Sequence, residues 1–269
     1  MPYWTDKVAL VTGGSAGLGL EIARALVAAG ARTTIAARDE ARLRAAAESL
    51  SIGTRTCRWQ ACDVLRQDDV DRLIGQTVAE QGRLDLLVNC AGRSARGELT
   101  KTTASEFAEL LDVNFLSAVR CTQAALPHVV ASRGHVVQIG SLASKAAARF
   151  LGAYPASKFP LAAYAQQLRL ELGPAGLHTL LVCPGPIRRA DAGLRYDAAT
   201  ANLPANTRQP GGGVRISALD PQWLAGRILR ACERRQAELV VPAKSRLLFA
   251  VAQLWPSLGD WLITRMTRG

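Results

Sequence analysis

The sequence predicts an α/β protein: one doubly wound parallel sheet of about seven strands with helices on both faces. Two observations support this prediction. Short continuous apolar runs alternate with longer segments of helical spacing, and a glycine-rich turn follows the first apolar run. Continuous apolar runs are typical of strands buried on both faces, and the alternation favours parallel strands joined by right-handed crossovers. A chain of 269 residues suffices for one such domain.

The first half of the chain contains four predicted strands, at residues 8–11, 33–37, 54–60 and 84–89. Helical spacing follows the first three of them, over residues 18–29, 39–50 and 68–81. Asp39 suits the N-cap of the second helix, because a carboxylate accepts hydrogen bonds from the unpaired N–H groups of a first helical turn.

In the second half, a long helical stretch over about 104–130, interrupted by Pro127, leads to a strand at 135–139. A helix over about 155–172 and a strand at 179–182 come next. Residues 186–219 contain three prolines and a triple glycine, and we expect an irregular insertion there. A helix over 221–235 and a strand at 238–241 complete the sheet.

Composition excludes several classes of protein. With 49% hydrophobic and 20% charged residues, the chain is neither disordered nor fibrous. The six cysteines form no C-x-x-C pair and the three histidines are widely spaced, so we expect reduced thiols and no metal site. No apolar run reaches the length of a membrane span. A strand that begins near residue 8 leaves no room for a cleaved leader, so we expect a cytoplasmic protein that can associate with membranes.

The glycine-rich turn is the first candidate binding site. It reads Thr12-Gly13-Gly14-Ser15-Ala16-Gly17-Leu18-Gly19 and stands between the first strand and the first helix. A dinucleotide binds a doubly wound sheet at this position, because its pyrophosphate needs close backbone approach and a helix N-terminus. The alternative is a tight β–α turn without a ligand. The dinucleotide interpretation predicts contacts from Gly13, Ser15, Ala16, Gly17, Leu18 and Gly19.

Four further motifs follow in order. Asn89-Cys90-Ala91-Gly92 comes after the fourth strand, Asn114 lies in the next helical stretch, Ser141 precedes Tyr154 and Lys158, and Pro184-Gly185-Pro186-Ile187 follows the sixth strand. With the T-G-x-x-x-G-x-G turn, these motifs resemble the short-chain dehydrogenase/reductase family over about residues 5–241. Cys90 stands where the family has a second asparagine. The resemblance implies a Rossmann-like fold, a nicotinamide cofactor and oxidoreductase activity.

Tyr154 and Lys158 carry the candidate chemistry. Residues at i and i+4 share one helix face, and an ammonium beside a phenol favours the phenolate. Such a tyrosine can give or take a proton at a carbonyl or an alcohol. The resemblance implies that Tyr154 is the general acid, that Ser141 orients the carbonyl, that Lys158 binds the nicotinamide ribose, and that Asn114 positions a water. Without the other motifs, a Tyr/Lys pair is usually a surface pair, and Ser141 and Asn114 are local hydrogen-bonding residues.

The end of the second strand bears on the choice of cofactor. The resemblance places the acid that selects NAD at Ala37, where none is present, and Arg38 follows. An arginine suits the 2′-phosphate of NADP, so we predict NADP(H), with NAD(H) as the alternative. Further cofactor contacts implied by the resemblance are Asp63 and Val64 beside the adenine, then Asn89, Ala91, Gly92, Tyr154, Lys158, Pro184, Gly185 and Ile187. Arg188 and Arg189 stand where relatives carry a threonine.

The substrate pocket is expected from residues 93–99, 142–153 and 186–219. The middle segment is mostly apolar, which favours a hydrophobic ketone or aldehyde. The leading hypothesis is therefore an NADPH-dependent carbonyl reductase. The alternatives are an NAD(P)-dependent alcohol dehydrogenase and a dinucleotide sensor without catalysis, which the fold alone permits. A complete set of catalytic residues argues against the sensor.

Partners are predicted from surface patterns. The family resemblance implies a homodimer or homotetramer formed through the two long helices after the fourth and fifth strands, and alanine-rich faces at residues 118–125 and 162–165 would allow these helices to pack closely. The formal net charge of +11 is uneven, with +6 of it from Arg208 onward, but no long basic block occurs, so no nucleic acid is expected. A domain over 1–243 leaves a tail at 244–269, read as one apolar helix with tryptophans and flanking basic residues. Such a helix suits a membrane interface; packing on its own domain or on a partner subunit is the alternative.

Overall fold

The computed structural model describes residues 2–51, 53, 56–189, 200, 203–208 and 216–267. Its seven strands form one parallel sheet in the order β3-β2-β1-β4-β5-β6-β7, which confirms the predicted doubly wound fold. The strands are β1 Val8–Thr12, β2 Arg32–Ala37, β3 Arg58–Ala61, β4 Leu86–Asn89, β5 His135–Ile139, β6 His178–Pro184 and β7 Glu238–Val241.

Helices connect the strands and cover both faces of the sheet. They are α1 Gly17–Ala28, α2 Glu40–Leu50, α3 Gln67–Gln81, α4 Ala104–Leu111, α5 Ser117–Ala131, α6 Tyr154–Leu172, α7 Pro221–Glu233, α8 Ser245–Leu254 and α9 Pro256–Thr267. Within the residues described, none combines the length and the apolar character that a membrane span requires.

The apolar side chains of β1 show why both faces are covered. Ala9 and Val11 belong to one buried cluster with Ile22 of α1, whereas Val8 and Leu10 belong to another on the opposite face. Successive side chains of a strand point to opposite faces, so a strand that is apolar at every position needs helices on each side. This is the reason the short apolar runs predict buried parallel strands.

Several local predictions can be compared with the structure. Asp39 caps α2 as expected, because its Oδ1 accepts the N–H of Arg42 at 3.0 Å. The break in the helical stretch after β4 lies at a π-helical turn, Asp112–Leu116, so its expected position at Pro127 was wrong. Pro127 is exposed within α5, where water can hydrate the carbonyl that loses its N–H partner. Thr54 and most of residues 186–219 lie outside the described residues.

The tail contains two helices, where the sequence analysis expected one. Trp255 is extended between α8 and α9, and Pro256 begins α9. A proline disfavours helical backbone in the residue before it and cannot donate the hydrogen bond that would continue α8. The helices then pack closely, since a Cβ on Gly259 would stand only 2.5 Å from the Cα of Ala252.

Two buried histidines lie side by side on β5 and β6, where His135 pairs with His178. The Nε2 of His178 lies 2.8 Å from the carbonyl oxygen of Gln236, which can only accept, so this nitrogen carries the proton. The Nδ1–H of His135 then donates to the Nδ1 of His178 at 2.8 Å, and the Tyr3 hydroxyl donates to the Nε2 of His135 at 2.6 Å. Both rings are neutral in this hydrogen-bond chain.

The Sγ of Cys232 lies near the same two rings, and the three ligand atoms are within 4.8 Å of one another. The sequence analysis expected no metal site because the histidines are far apart along the chain, yet the sheet brings His135 and His178 together. Their ring nitrogens are engaged in hydrogen bonds. The absence of a metal stays a prediction.

Acid should destabilise the fold through this pair. Burial lowers the pKa of His135 to about 3 and of His178 to about 4, against 6.5 ordinarily. Between about pH 6.5 and 4 the unfolded chain binds protons that the folded chain does not. The free energy of unfolding therefore falls as the pH is lowered through this window, by at most about 1.4 kcal/mol per pH unit for each histidine.

The measurement is urea unfolding across this pH range. His178→Gln should flatten the pH dependence relative to the native chain, whatever its effect at neutral pH. His128→Gln is the control, because His128 lies outside the pair, and it should leave the pH dependence unchanged. Equal slopes for the native chain and His178→Gln would contradict the assignment.

Candidate active site

The glycine turn after β1 approaches neighbouring backbone too closely for side chains. Gly13 has a φ of +67°, and a Cβ there would stand 2.9 Å from the amide nitrogen of Ala91. In the first turn of α1, a Cβ on Gly19 would lie 2.3 Å from the carbonyl oxygen of Gly13. The glycines thus permit a turn that aims the N-terminus of α1 at the edge of the sheet, where an anion is favoured.

A buried hydroxyl joins this turn to the loop after β4. The Oγ1 of Thr12 accepts the N–H groups of Cys90 and Ala91, at 3.2 and 3.3 Å, and donates to the carbonyl of Val88 at 3.3 Å. The strand order reverses between β1 and β4, and ligands of doubly wound sheets bind at such a point. The two loops therefore form one continuous wall.

Gly92 makes room for two catalytic candidates. A Cβ at this position would stand 2.6 Å from the Oδ1 of Asn114 and 3.5 Å from the Nζ of Lys158. Lys158 is buried, and its Nζ donates to the carbonyl oxygen of Ile139 at 2.9 Å. Burial lowers the pKa of Lys158 to about 8, while Cys90 and Cys183 oppose the shift. The lysine is thus still mainly charged at neutral pH.

Asn114 is held in the π-helical turn by hydrogen bonds at both ends of its amide. Its Oδ1 accepts the N–H of Arg93 at 2.9 Å, and its Nδ2 donates to the carbonyl of Arg93 and to the Oγ of Ser157, each at 2.9 Å. Ser157 donates in turn to the carbonyl of Tyr154 at 2.7 Å. This chain fixes the first turn of α6, on which Tyr154 and Lys158 lie.

Ser141 lies directly after β5 and opens a short 3₁₀ turn, Leu142–Ser144. Its Oγ accepts the N–H of Ala143 at 3.1 Å, so the hydroxyl proton remains available for another acceptor. The capping role and the proposed ligand-binding role of Ser141 are therefore compatible, because the hydroxyl that caps the turn can still donate to a ligand.

Most of these groups line one cavity of about 420 Å³. Thirteen residues expected to contact cofactor or substrate line it: Gly13, Ala16, Gly17, Leu18, Gly19, Ala91, Gly92, Ser141, Tyr154, Lys158, Pro184, Gly185 and Ile187. The apolar segment after β5 lines it as well, through Leu142, Ala146 and Leu151 among others. The structure thus brings the reacting groups and the glycine turn to one place.

Six of the candidate residues do not line the cavity: Ser15, Arg38, Asp63, Val64, Asn89 and Asn114. Val64 is buried in the core, and Asp63 accepts the N–H of Leu65 at 3.1 Å. The amide of Asn89 donates to Thr122 and Gln138 across the sheet, at 2.9 and 3.2 Å. These bonds give Asn89 a structural role, and its contact with a cofactor stays a prediction.

The charges around the cavity have one sign. The charged residues that line it, as far as the chain is described, are Arg93, Arg96, Lys158, Arg189 and Arg208, without a carboxylate. The guanidinium of Arg189 lies 3.9 Å from where a Cβ of Gly17 would stand, so it reaches the N-terminus of α1. Its neighbour Arg188 turns away and pairs with Asp220 at 3.7 Å. Such a cavity favours an anionic ligand.

The sequence analysis missed three contributions to the site. Ser157 is buried and links Asn114 to α6; its position between two candidate residues was the available signal. Arg96 lies in the segment 93–99 that was expected to line the pocket, but no pattern indicated that it is buried and donates to the carbonyl of Thr207 at 2.9 Å. The tail lines the cavity through Leu248 and Phe249 of α8 and through two residues of α9, Ile263 and Met266.

Cys90 also lines the cavity, in place of the family's second asparagine. Burial raises the pKa of its thiol to about 11, even though Lys158 and Arg189 act in the opposite direction. A thiol with this pKa is protonated at neutral pH and is a poor nucleophile. Cys90 is therefore not a candidate nucleophile, and Tyr154, Ser141 and Lys158 remain the candidates for the chemistry.

Comparisons with known proteins agree with this geometry. The sequence model of the family described as short chain dehydrogenase matches residues 7–197. The chain is 32% identical over 267 residues to dehydrogenase/reductase SDR family member 7B of Danio rerio, covering 96% of this chain and 84% of that protein. It is 37% identical over 185 residues to L-fucose dehydrogenase of Bos taurus, covering 68% and 67%. A short-chain dehydrogenase structure from Streptomyces avermitilis superposes with a TM-score of 0.80 at 28% identity, covering 97% and 96%.

A glycine-to-alanine substitution at Gly19 tests the packing of the glycine turn, and the same substitution at Gly75 is its control. Gly19→Ala should lower the free energy of unfolding by about 1–3 kcal/mol, because its Cβ would overlap a backbone oxygen. Gly75→Ala is the matched control, at an exposed position in α3 with open space around it. It should raise the free energy of unfolding by about 0.5–1 kcal/mol. Urea unfolding measures both; a Gly19→Ala protein as stable as the native one would refute the close approach.

Proposed function

Because the chain belongs to the short-chain dehydrogenase family, we propose that it is an NADPH-dependent carbonyl reductase acting on a hydrophobic ketone or aldehyde. Family membership makes it an oxidoreductase that uses a nicotinamide dinucleotide. The observation that carries the finer proposal is the single cavity in which the glycine turn, Ser141, Tyr154 and Lys158 share an apolar lining.

The residues around the glycine turn fit a dinucleotide. Gly17 opens α1 with a φ of +55°. Beyond its chain neighbours and its own helix, the nearest described atom to its Cβ position is the Nη1 of Arg189, at 3.9 Å. A pyrophosphate there would meet the N–H groups of a helix start and a cation from the opposite wall. Arg189 thus supplies a phosphate contact in place of the threonine of relatives.

The preference for NADPH is argued from the end of β2. Ala37 offers no carboxylate to a ribose 2′-hydroxyl, and Asp39 is engaged as the N-cap of α2 and as the partner of Arg42. Arg38 is exposed directly after the strand, where a 2′-phosphate would lie. Only a 2′-phosphate would use this charge.

In the proposed reaction the bound nicotinamide supplies the hydride. Tyr154 donates the proton to the carbonyl oxygen as negative charge develops there. Ser141 holds that oxygen with its available hydroxyl proton. The ammonium of Lys158, one helical turn further along α6, stabilises the phenolate left on Tyr154. Because Lys158 is buried, water screens this attraction only weakly. Asn114 positions α6 through Ser157, and its part in binding a water stays a prediction.

A hydrophobic carbonyl compound suits the walls beyond these groups. They are built from apolar residues of three separate segments, represented by Leu151, Ile187 and Phe249. Within the described part of the chain, the polar groups on these walls are mostly arginines. A sugar, with hydroxyl groups on every side, would leave most of its hydrogen bonds unmade against such walls.

A second candidate rests on the relative named L-fucose dehydrogenase, at 37% identity over 185 residues. It would run the same residues in the oxidative direction, with Tyr154 taking the proton from an alcohol. The apolar walls argue against a sugar but not against a hydrophobic alcohol. Whether the enzyme oxidises an alcohol or reduces a carbonyl therefore depends on which substrate the cavity accepts.

We further propose that the chain forms a homo-oligomer through α5 and α6. The alanines first suspected, Ala118, Ala125 and Ala165, are buried within the subunit. Large apolar side chains at Phe159 and Leu170 of α6 are exposed instead. They offer a surface for a second copy.

Replacing the proposed acid tests the reaction. Tyr154→Phe should lower kcat for NADPH-dependent ketone reduction about 10²–10⁴-fold, because only the proton donor is lost. NADPH binding, followed by nicotinamide fluorescence, should survive. Tyr164→Phe on the same helix is the control and should retain turnover. A panel of hydrophobic ketones, aldehydes and L-fucose, with each cofactor, distinguishes the two candidates; turnover of Tyr154→Phe at the native rate would refute the mechanism.

Arg38→Ala tests the cofactor preference. It should weaken NADPH binding about tenfold or more and leave NADH binding nearly unchanged, because only the 2′-phosphate contact is removed. Arg44→Ala removes an exposed arginine of α2 that pairs with Glu40 and not with Asp39, and it serves as the control. Equal NADPH affinity in the native chain and Arg38→Ala would overturn the assignment.

A further inference from the structure

The C-terminal hairpin of α8 and α9 exposes an unusual amount of apolar surface. Of the eleven exposed large apolar side chains in the described chain, five lie within residues 245–267: Leu247, Leu254, Trp255, Leu258 and Trp261. Trp255 is 60% exposed, and Trp261 is 53% exposed. A helix that only packed on its own domain would turn such residues inward.

These side chains form an outer face on each helix. Leu247 and Leu254 are seven residues apart on α8, and Leu258, Trp261 and Arg265 follow the i, i+3, i+7 spacing of one face of α9. Trp255 stands between the helices at the turn. We call these five apolar residues the outer face of the hairpin.

Basic groups border the outer face. Lys244 precedes α8, and Arg246 lies in its first turn. Arg265 of α9 stacks over the ring of Trp261 at 5.3 Å. Asp260 is the one carboxylate in residues 244–267. Leucines and tryptophans flanked by lysine and arginine are suited to the boundary between anionic headgroups and acyl chains. A second subunit has no need of this cationic border.

The inner side of the same hairpin lines the cavity. Leu248 and Phe249 of α8, and Ile263 and Met266 of α9, contribute to its wall. Phe249 also packs against a core cluster that contains Leu161 and Leu181. The hairpin is therefore anchored on the sheet domain. It forms the wall between the cavity and the surroundings of the outer face.

We propose that the outer face of the hairpin docks on an anionic lipid surface and seats the wall of the cavity against the membrane. The helices lie in the interface and do not span the bilayer. Lipophilic substrates would then reach the cavity from the membrane side, a consequence that rests on the proposed function, whereas docking itself does not.

Vesicle binding by the full chain tests the proposal. Cosedimentation with phosphatidylcholine vesicles that contain phosphatidylserine should recover the native protein, and pure phosphatidylcholine vesicles should recover much less. Added salt should weaken binding, because the cationic border contributes. Tryptophan fluorescence should shift to shorter wavelength on binding. The assay needs neither cofactor nor substrate, so its outcome is independent of the proposed reaction.

The chain offers a matched control for Trp261. Trp223 of α7 is 45% exposed and stacks with Arg227 at 5.4 Å, the same i, i+4 arrangement outside the hairpin. Trp261→Ser should weaken vesicle binding about tenfold, and Trp223→Ser should not. Leu254→Ser is a second variant at the outer face with the same expected loss. Unfolding temperature and far-UV circular dichroism verify that each variant is folded.

Two results would overturn the proposal. One is a native chain that stays in the supernatant with anionic vesicles, or Trp261→Ser and Trp223→Ser binding them equally well. The other is a change of oligomeric state: if light scattering shows that Trp261→Ser or Leu254→Ser breaks a native dimer, the outer face is a subunit interface. Vesicle binding with an unchanged oligomeric state supports docking.

Discussion

The site depends on one close backbone approach, between the turn after β1 and the turn after β4. Thr12 bonds the amides of Cys90 and Ala91, and Gly13 lies so near Ala91 that no side chain fits. This contact positions the start of α1. It also fixes Gly92, whose missing side chain leaves room for Asn114 and Lys158. The glycine turn proposed to bind the cofactor and the helix that carries the proposed acid are thus positioned by the same contact.

The catalytic helix α6 is stabilised by polar groups that would be costly if unpaired. The buried Lys158 gives one N–H bond to Ile139 on β5, and Ser157 joins Asn114 to the backbone of Tyr154. Burial still disfavours the charge of Lys158, as its lowered pKa records. A bound ribose hydroxyl and a phenolate on Tyr154 would both favour that charge. The helix is therefore arranged for charges that develop only when ligands are present.

The cavity combines two chemistries because its walls come from different parts of the chain. The glycine turn and Arg189 form a polar, positively charged end. The segment after β5 and the C-terminal hairpin form an apolar end. The hairpin has apolar residues on both its inner and its outer side. The inner side is explained by the cavity, and the outer side is the surface that we propose docks on a lipid membrane.

The sequence by itself determined the sheet and the candidates for the reacting residues. Strands such as β1 and β4 are apolar at every position but the last, and this local pattern is sufficient to place them. Tyr154, Lys158 and Ser141 stand in motifs that are read along the chain. Tertiary structure decided what depends on distant segments meeting. The pairing of His135 with His178 follows from strand register, and the reach of Arg189 to Gly17 follows from how two loops fold over one edge. The inner face of the hairpin could not be predicted either, because the periodicity of a helix shows that it has an apolar face but not what that face covers.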